Sequence, residues 1–420
     1  MVPQYITRGH PMKRLLLTVA ILACVGFGAW AAPDIVLDFP SWQAEEAGFK
    51  DFWKEVITKF QAENPGVTVK LTQIAFKDYI DGLTTRFAAG NPPDILHLPA
   101  RNAAQFAAQD WLEPLDDLLK KTDILENWTP LQSSVQFEGK NLGILLMGYA
   151  NVLYYNEKMF QDAGVALPKS IDELLAAAKK IYNEKAGQFG FGLTSTDHPN
   201  VYSDASVFVY AMGHSFFKNK KYNFTDPAVI KDLDNYRELS RYAPRGVSTE
   251  LKRQLFVDGK VAMTIDGPWV ATMIPKANPA IRPYLKIMAW PLPKITGNPS
   301  NSIHIPAGLA ADRKALVWKF IQLMTSPEMQ TKYTVLTQSP AGRNNSLTGD
   351  LAKQYPGLVS VIEATGKAVN TLPDSPNVLA NYALYSKLAG NSLLQLMITD
   401  ASTAKVMEDM TAKITREVKP

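Results

Sequence analysis

Apolar positions at the start of the globular part of this chain switch between two periods. Ile35-Val36-Leu37-Asp38-Phe39 is a short apolar stretch closed by Pro40, which predicts a strand. Phe49, Phe52, Trp53, Val56, Ile57 and Phe60 then recur at helical spacing and predict a helix with one buried stripe. Asn64-Pro65-Gly66 breaks that helix, and the alternation of Val67, Val69 and Leu71 predicts a second strand. A helix over 79–89 ends at Gly90, a residue suited to the left-handed cap, and 94–98 predicts a third strand. Strand, helix, strand, helix, strand implies a parallel sheet with helices packed on it.

Farther along, 143–155 is apolar without a helical break and leads into a helix through Lys158-Met159-Phe160. Ser170 and Glu173 have capping-box spacing at the start of a helix over 171–181. Helices follow at 229–242 and 251–256, and strand-like segments at 261–265 and 285–290. The remainder is largely helical, with 315–324 and a last helix that places Val406, Met410, Ile414 and Val418 on one face. The pattern predicts an α/β protein of two lobes crossed by the chain more than once, and 194–202 is expected to be a polar loop.

Ahead of the first strand lies a different pattern. Met12-Lys13-Arg14 precedes an apolar run from Leu15 to Phe27, with Thr18 its one polar residue, and Ala29-Trp30-Ala31 supplies a small-x-small cleavage site. This is the layout of a secretory signal peptide starting at Met12, because the run falls short of the roughly 20 residues a membrane-spanning helix needs. Export with cleavage after Ala31 is therefore expected. The sole cysteine, Cys24, falls inside the leader, so the mature chain has no disulfide, thiol nucleophile or thiolate metal site. Ile21-Leu22-Ala23-Cys24 loosely resembles a lipidation box, but bulky Leu22 and the continuing apolar run favour a soluble periplasmic product over a lipid anchor.

Composition changes this picture little. The mature length fits two domains better than one core. Arg8, Lys13 and Arg14 leave with the leader, which brings 44 basic and 40 acidic residues close to balance and removes any case for nucleic acid. No nucleophile elbow, zinc helix, phosphate loop or dinucleotide fingerprint occurs. His97, His198, His214 and His304 have no metal-ligand spacing, and each is expected to be structural. Glu45-Glu46 and Asp116-Asp117 are neighbours whose side chains diverge on a helix, so neither makes an acid/base pair. No catalytic residue, metal or cofactor is predicted.

Several blocks, taken in order, resemble the extracellular solute-binding proteins of ABC importers, in the family that includes the maltose-binding proteins. They are Gly90-Asn91-Pro92-Pro93-Asp94-Ile95 and Leu112-Glu113-Pro114-Leu115; then Leu153-Tyr154-Tyr155-Asn156-Glu157-Lys158-Met159-Phe160; and Phe256-Val257-Asp258-Gly259-Lys260-Val261-Ala262-Met263 with Gly267-Pro268-Trp269. The resemblance implies two α/β lobes joined by a multi-strand hinge, a periplasmic binding protein of type II. One lobe is expected to hold 33–147 and 305–325, the other 148–304 and 326–420. It further implies a monomer that captures a carbohydrate by hinge closure and delivers it to the membrane subunits of an ABC permease. The alternatives are a sugar acid, a polyol phosphate or another polar solute and, from a different class, a secreted polysaccharide hydrolase.

A sugar presents flat C–H patches, which aromatic faces cover, and a rim of hydroxyls, which fixed polar groups pair. On the resemblance, Asp266 and Trp269 belong to the block that carries a stacking tryptophan. Trp42 follows the first strand at the carboxyl edge, where open α/β sheets hold ligands. Arg101 and Asn102 stand where maltose-type members have an Asp-Arg pair, and that exchange suggests an anionic or acceptor-rich ligand group. Tyr149 near the hinge, Asp197 in the polar loop, Arg343 and Tyr382 complete the expected ligand-binding set.

Overall fold

The computed structural model describes Met1, residues 35–288 and residues 290–420. The expected leader, its cleavage site and Cys24 lie outside the described residues. Two large apolar cores, with three smaller clusters beside them, organise the rest.

The first core forms where the predicted helical stripe meets the predicted strand. Leu37 and Phe39 of the strand Ile35–Ser41 pack against Phe49, Phe52, Trp53, Val56 and Phe60 of the helix Phe49–Glu63. Phe39 and Trp53 meet edge to face at 5.0 Å. Phe320, Ile321 and Met324 of the helix Ala311–Met324 close the same core, as do Met329 and Tyr333 of Pro327–Thr337. Tyr333 touches Phe52 edge to face at 4.8 Å, so this last helix packs with the first lobe. The second core is mainly helical, built from Ile171–Ile181, Asn200–Ala211, Pro227–Ser240, Tyr382–Ile398 and Thr403–Glu417. The fold is α/β, with two lobes.

Strands Ile35–Ser41 and Val67–Gln73 pair in parallel, as alternating strand and helix require. The third strand, Leu96–Pro99, pairs instead with Thr296–His304, and antiparallel. Thr296–His304 also pairs antiparallel with Ile144–Ala150, so one long strand ties distant parts of the sequence together. Ile144–Ala150 and Thr296–His304 run out of the first core side by side. After Asn151 the chain enters Val152–Asn156, the centre strand between Met263–Asp266 and Leu285–Met288 of the second lobe. Glycine lets the crossing strands approach closely. A Cβ on Gly297 would lie 2.1 Å from the Tyr149 carbonyl oxygen, and one on Gly148 would lie 2.3 Å from Leu131.

Local signals held where they had a stereochemical cause. Ser170 Oγ accepts the Glu173 amide at 3.2 Å, although Glu173 in turn accepts from Lys169, one residue earlier than a capping box requires. Gly90 adopts φ 69° just past the helix Phe76–Ala88. Residues 200–202 do not belong to a polar loop; they open the helix Asn200–Ala211. Val201, Tyr202, Ala205, Phe208 and Val209 are all buried, so that helix is covered on most sides and shows no single apolar stripe. Among the described residues, no helix is long and apolar enough to cross a membrane.

His97 and His304 sit in structural settings. Burial lowers His97 to about 3 and His304 to about 4, so both are neutral. His97 Nδ1 meets Ser41 Oγ at 2.9 Å, and His304 Nδ1 donates to the Leu142 carbonyl at 2.7 Å. Because their folded values lie below the unfolded value, protons favour the unfolded chain. The stability they contribute is complete above pH 6.5 and lost as pH falls toward 4. Urea titrations from pH 7.5 to 4 are expected to show a shallower acid slope for His97→Gln than for wild type, whatever its absolute stability. Parallel slopes would contradict a neutral, buried His97.

Candidate functional site

The carboxyl ends of several strands converge on a cavity of about 120 Å³ between the two cores. Its walls are largely aromatic. Trp42, directly after the first strand, lies flat on His97 with ring centroids 4.1 Å apart and planes 5° apart. It meets Phe76 and Tyr79 edge to face at 5.6 and 5.0 Å. One face of this indole is therefore committed to packing, the role that burial under the following helix predicts, and only its remaining surface lines the cavity.

Trp269 faces it from the second lobe. The strand Met263–Asp266 ends at Gly267, where a Cβ would lie 2.1 Å from the Trp269 ring. Only glycine at that position lets the indole fold back over the strand end. Trp269 packs edge to face on Tyr149 at 4.8 Å, and the Arg253 guanidinium lies 5.6 Å from its ring centre.

The charged groups in this cavity mostly satisfy one another. Asp266 accepts from Arg253 through both oxygens, at 2.9 and 2.8 Å, and from the Gly267 amide at 2.8 Å. Lys252 Nζ lies 3.3 Å from Asp266 and 3.6 Å from Asp204. Burial alone would raise the Asp266 carboxyl, but Arg253 and Lys252 hold it well below the usual carboxylate range. Asp266 therefore fixes Arg253 in place more than it offers oxygens to a ligand. Glu46 has no such partner. Burial pushes it up to about 7, with Arg253 opposing and Glu250 and Asp266 adding, so protonated and ionised forms coexist at neutral pH.

Of the residues expected to hold a ligand, Trp42, Arg101, Tyr149, Asp266, Trp269 and Tyr382 line this cavity. Asn102 and Asp197 line a neighbouring compartment. Arg343 belongs to neither. It is buried in the first lobe, gripping Asp123 with two bonds of 2.9 and 2.8 Å and donating to the Thr325 carbonyl at 3.2 Å. Its expected cleft-facing role is corrected on that ground: every part of its fork is already satisfied inside the fold.

Sequence reasoning missed Glu46, Phe76, Ser203 and Arg253, all of which line the cavity, as does Asn200 of the 194–202 segment. A signal existed for Glu46. Adjacent carboxylates diverge, and here Glu45 pairs outward with Lys50 while Glu46 is left facing the cleft. Among the described residues no His, Cys, Asp and Glu cluster could hold a metal ion.

Comparison with known proteins places this geometry in context. The family model described as bacterial extracellular solute-binding protein matches residues 44–331. A putative binding protein of Brucella abortus (strain 2308) is 26% identical over 241 residues, which is 55% of this chain and 58% of that relative's length. The multiple sugar-binding protein of Streptococcus mutans is 25% identical over 309 residues, 68% of this chain and 71% of that one. Among solved structures, an ABC transporter solute-binding protein of Thermotoga lettingae, bound with α-D-tagatose, superimposes with a TM-score of 0.79 at 24% identity. That match covers 92% of this chain and 99% of that one.

The sign of the Glu46 shift is testable. Its folded value lies above the unfolded one, so its contribution to stability is complete below pH 4.5 and lost as pH rises toward 7. Glu46→Gln is expected to remove that loss, so the variant gains on wild type between pH 5 and 7.5 in paired melting curves. A constant difference across this range would show that Glu46 ionises normally.

Proposed function

We propose that this chain, which belongs to the bacterial extracellular solute-binding proteins, captures a small neutral carbohydrate or polyol between its lobes and presents it to an ABC permease. The observation that carries this reading is the pairing of aromatic walls with charges that cancel. Trp42 on one lobe and Trp269, Tyr149 and Tyr382 around the other side offer ring surface to C–H patches. Lys252 and Arg253 are balanced by Asp204 and Asp266, and Arg101, the remaining cation of the lining, is bonded to the neutral Ser203 and Asn200 of the second lobe. Glu46, Asn151, Asn200, Ser203 and Asn298 supply donors and acceptors for hydroxyls.

The relatives' names support the same class, since one is named for several sugars and one structural neighbour holds a ketohexose. The proposal extends to a monomer, exported by the leader that ends at Ala31 and free in the periplasm, with binding rather than catalysis as its task. The lobes divide close to residues 147 and 304, and the packing of Pro327–Thr337 against Phe52 supports moving that helix, expected in the second lobe, to the first. Closure follows from ligand contacts to both lobes, which favour the closed state by the difference in affinity.

A thermal-shift screen of residues 32–420 against neutral sugars, polyols, sugar acids and phosphorylated sugars tests this. A neutral sugar or polyol is expected to raise Tm without being turned over. Trp269→Ala is expected to weaken that hit at least about tenfold, through loss of ring contact, while the free protein still melts cooperatively. Shifts confined to acids or phosphates would overturn the neutral reading.

A further inference from the structure

We propose that Arg101 partitions the cleft into two compartments and so limits the ligand to about one sugar unit, leaving the outer compartment as a second saccharide subsite that opens only when Arg101 moves; this rests on the carbohydrate reading above. The inner compartment is the cavity between Trp42 and Trp269. The outer one has a volume of about 290 Å³ and is bounded by Asn102, Asp197, His198, Ser386 and Asn391 among others. Phe76, Pro99, Arg101 and Tyr382 are common to both, so these side chains form the wall between them.

Arg101 is held in that wall from every side. It follows the strand Leu96–Pro99 in the first lobe, yet its hydrogen bonds go to the second. Nη1 donates to Ser203 Oγ at 3.0 Å and Nη2 to Asn200 Oδ1 at 3.2 Å, both at the start of the helix Asn200–Ala211. Its guanidinium carbon lies 5.3 Å from the centre of the Phe76 ring and 5.7 Å from that of Tyr382. Phe76 in turn stacks on His198 of the second lobe at 6.1 Å. This guanidinium lies between two rings, and both of its terminal nitrogens are bonded to the second lobe. It is well placed as a barrier.

Size supports the division. The inner compartment, about 120 Å³, is less than half the size of the outer one, about 290 Å³. A second unit needs the outer compartment, whose Asn102, Asp197, Ser386 and Asn391 offer hydroxyl partners beside the Phe76 and Tyr382 rings. The cation contributes a barrier that a smaller side chain would not. Truncation to alanine removes the hydrogen bonds to Ser203 and Asn200 together with the group between the rings.

Titration calorimetry on residues 32–420 tests the partition, with a neutral monosaccharide or pentitol and the corresponding di- and trisaccharides as probes. Wild type is expected to prefer the single unit. Arg101→Ala is expected to shift the ratio of disaccharide to monosaccharide affinity by roughly tenfold or more toward the disaccharide. The Asn200→Ala/Ser203→Ala double variant keeps Arg101 but removes its partners, and it is expected to shift the ratio in the same direction if Arg101→Ala does not fold. Unchanged length preference in both, or a wild type that already binds trisaccharides as tightly as monosaccharides, overturns the partition alone. Failure of wild type to bind carbohydrate of any length overturns the functional reading and the subsite together.

Discussion

The buried ion pair between Asp266 and Arg253 fixes the character of the cleft. Two opposite charges withdrawn from water cost several kcal/mol each unless geometry and further hydrogen bonds compensate. Here the fork of Arg253 meets both carboxylate oxygens and the Gly267 amide adds a third bond. Removing either partner would strand a charge in a low-dielectric site, at roughly 3–5 kcal/mol. The pair also sets what surrounds it. It places the guanidinium near the Trp269 ring, and with Lys252 and Asp204 it leaves the floor of the cleft close to neutral. A floor with no strong net charge does not reward an ionic ligand, and Arg253, already paired with Asp266, only partly offsets the burial that raises Glu46.

Sequence legibility followed the range of the interaction. Strand and helix periods near the start were clear because one face of each element meets a core, as for Phe49, Phe52, Trp53, Val56 and Phe60. Caps at Ser170 and Gly90 were clear because their partners lie within a few residues. The helix Asn200–Ala211 was obscured at its start because burial on most sides erases the periodic signal. Site residues were least legible where the deciding partner is far away in sequence. Arg343 has the chemistry of a ligand clamp, but Asp123, 220 positions away, accepts its fork. Arg101 is chemically identical, and only Ser203 and Asn200, 102 and 99 positions away, reveal that it bridges the lobes. Residue type told what each arginine could do, and topology decided what it does.

The strands Ile144–Ala150 and Thr296–His304 give the lobes a joint that is thin but specific. Ladder hydrogen bonds fix its register, while Gly148 and Gly297 let backbone and side chains pass closely where larger residues would collide. Few apolar contacts have to break for the lobes to move about such a joint, because each lobe keeps its own core. Hinge motion is then a property of how burial is distributed, and the cleft is the surface that each core leaves uncovered.

Contacts that cross the cleft set the starting point of that motion. Besides the bonds from Arg101, Thr272 Oγ1 donates to the Ala47 carbonyl at 3.1 Å. Hydrogen bonds of this kind contribute about 0.5–1.5 kcal/mol each, so a handful biases closure by a few kcal/mol at most. Separating the lobes returns water to the same groups and to the aromatic walls, which offsets part of that bias. Moving such an equilibrium from mostly open to mostly closed takes about 5.5 kcal/mol of differential binding. Trp42 on one side and Trp269 on the other are positioned to supply it, since a ligand touching both gains its second set of contacts only when the lobes meet. On the proposed binding function, the bridging arginine shapes the space in which closure would occur, and the ligand would supply most of the free energy that drives it.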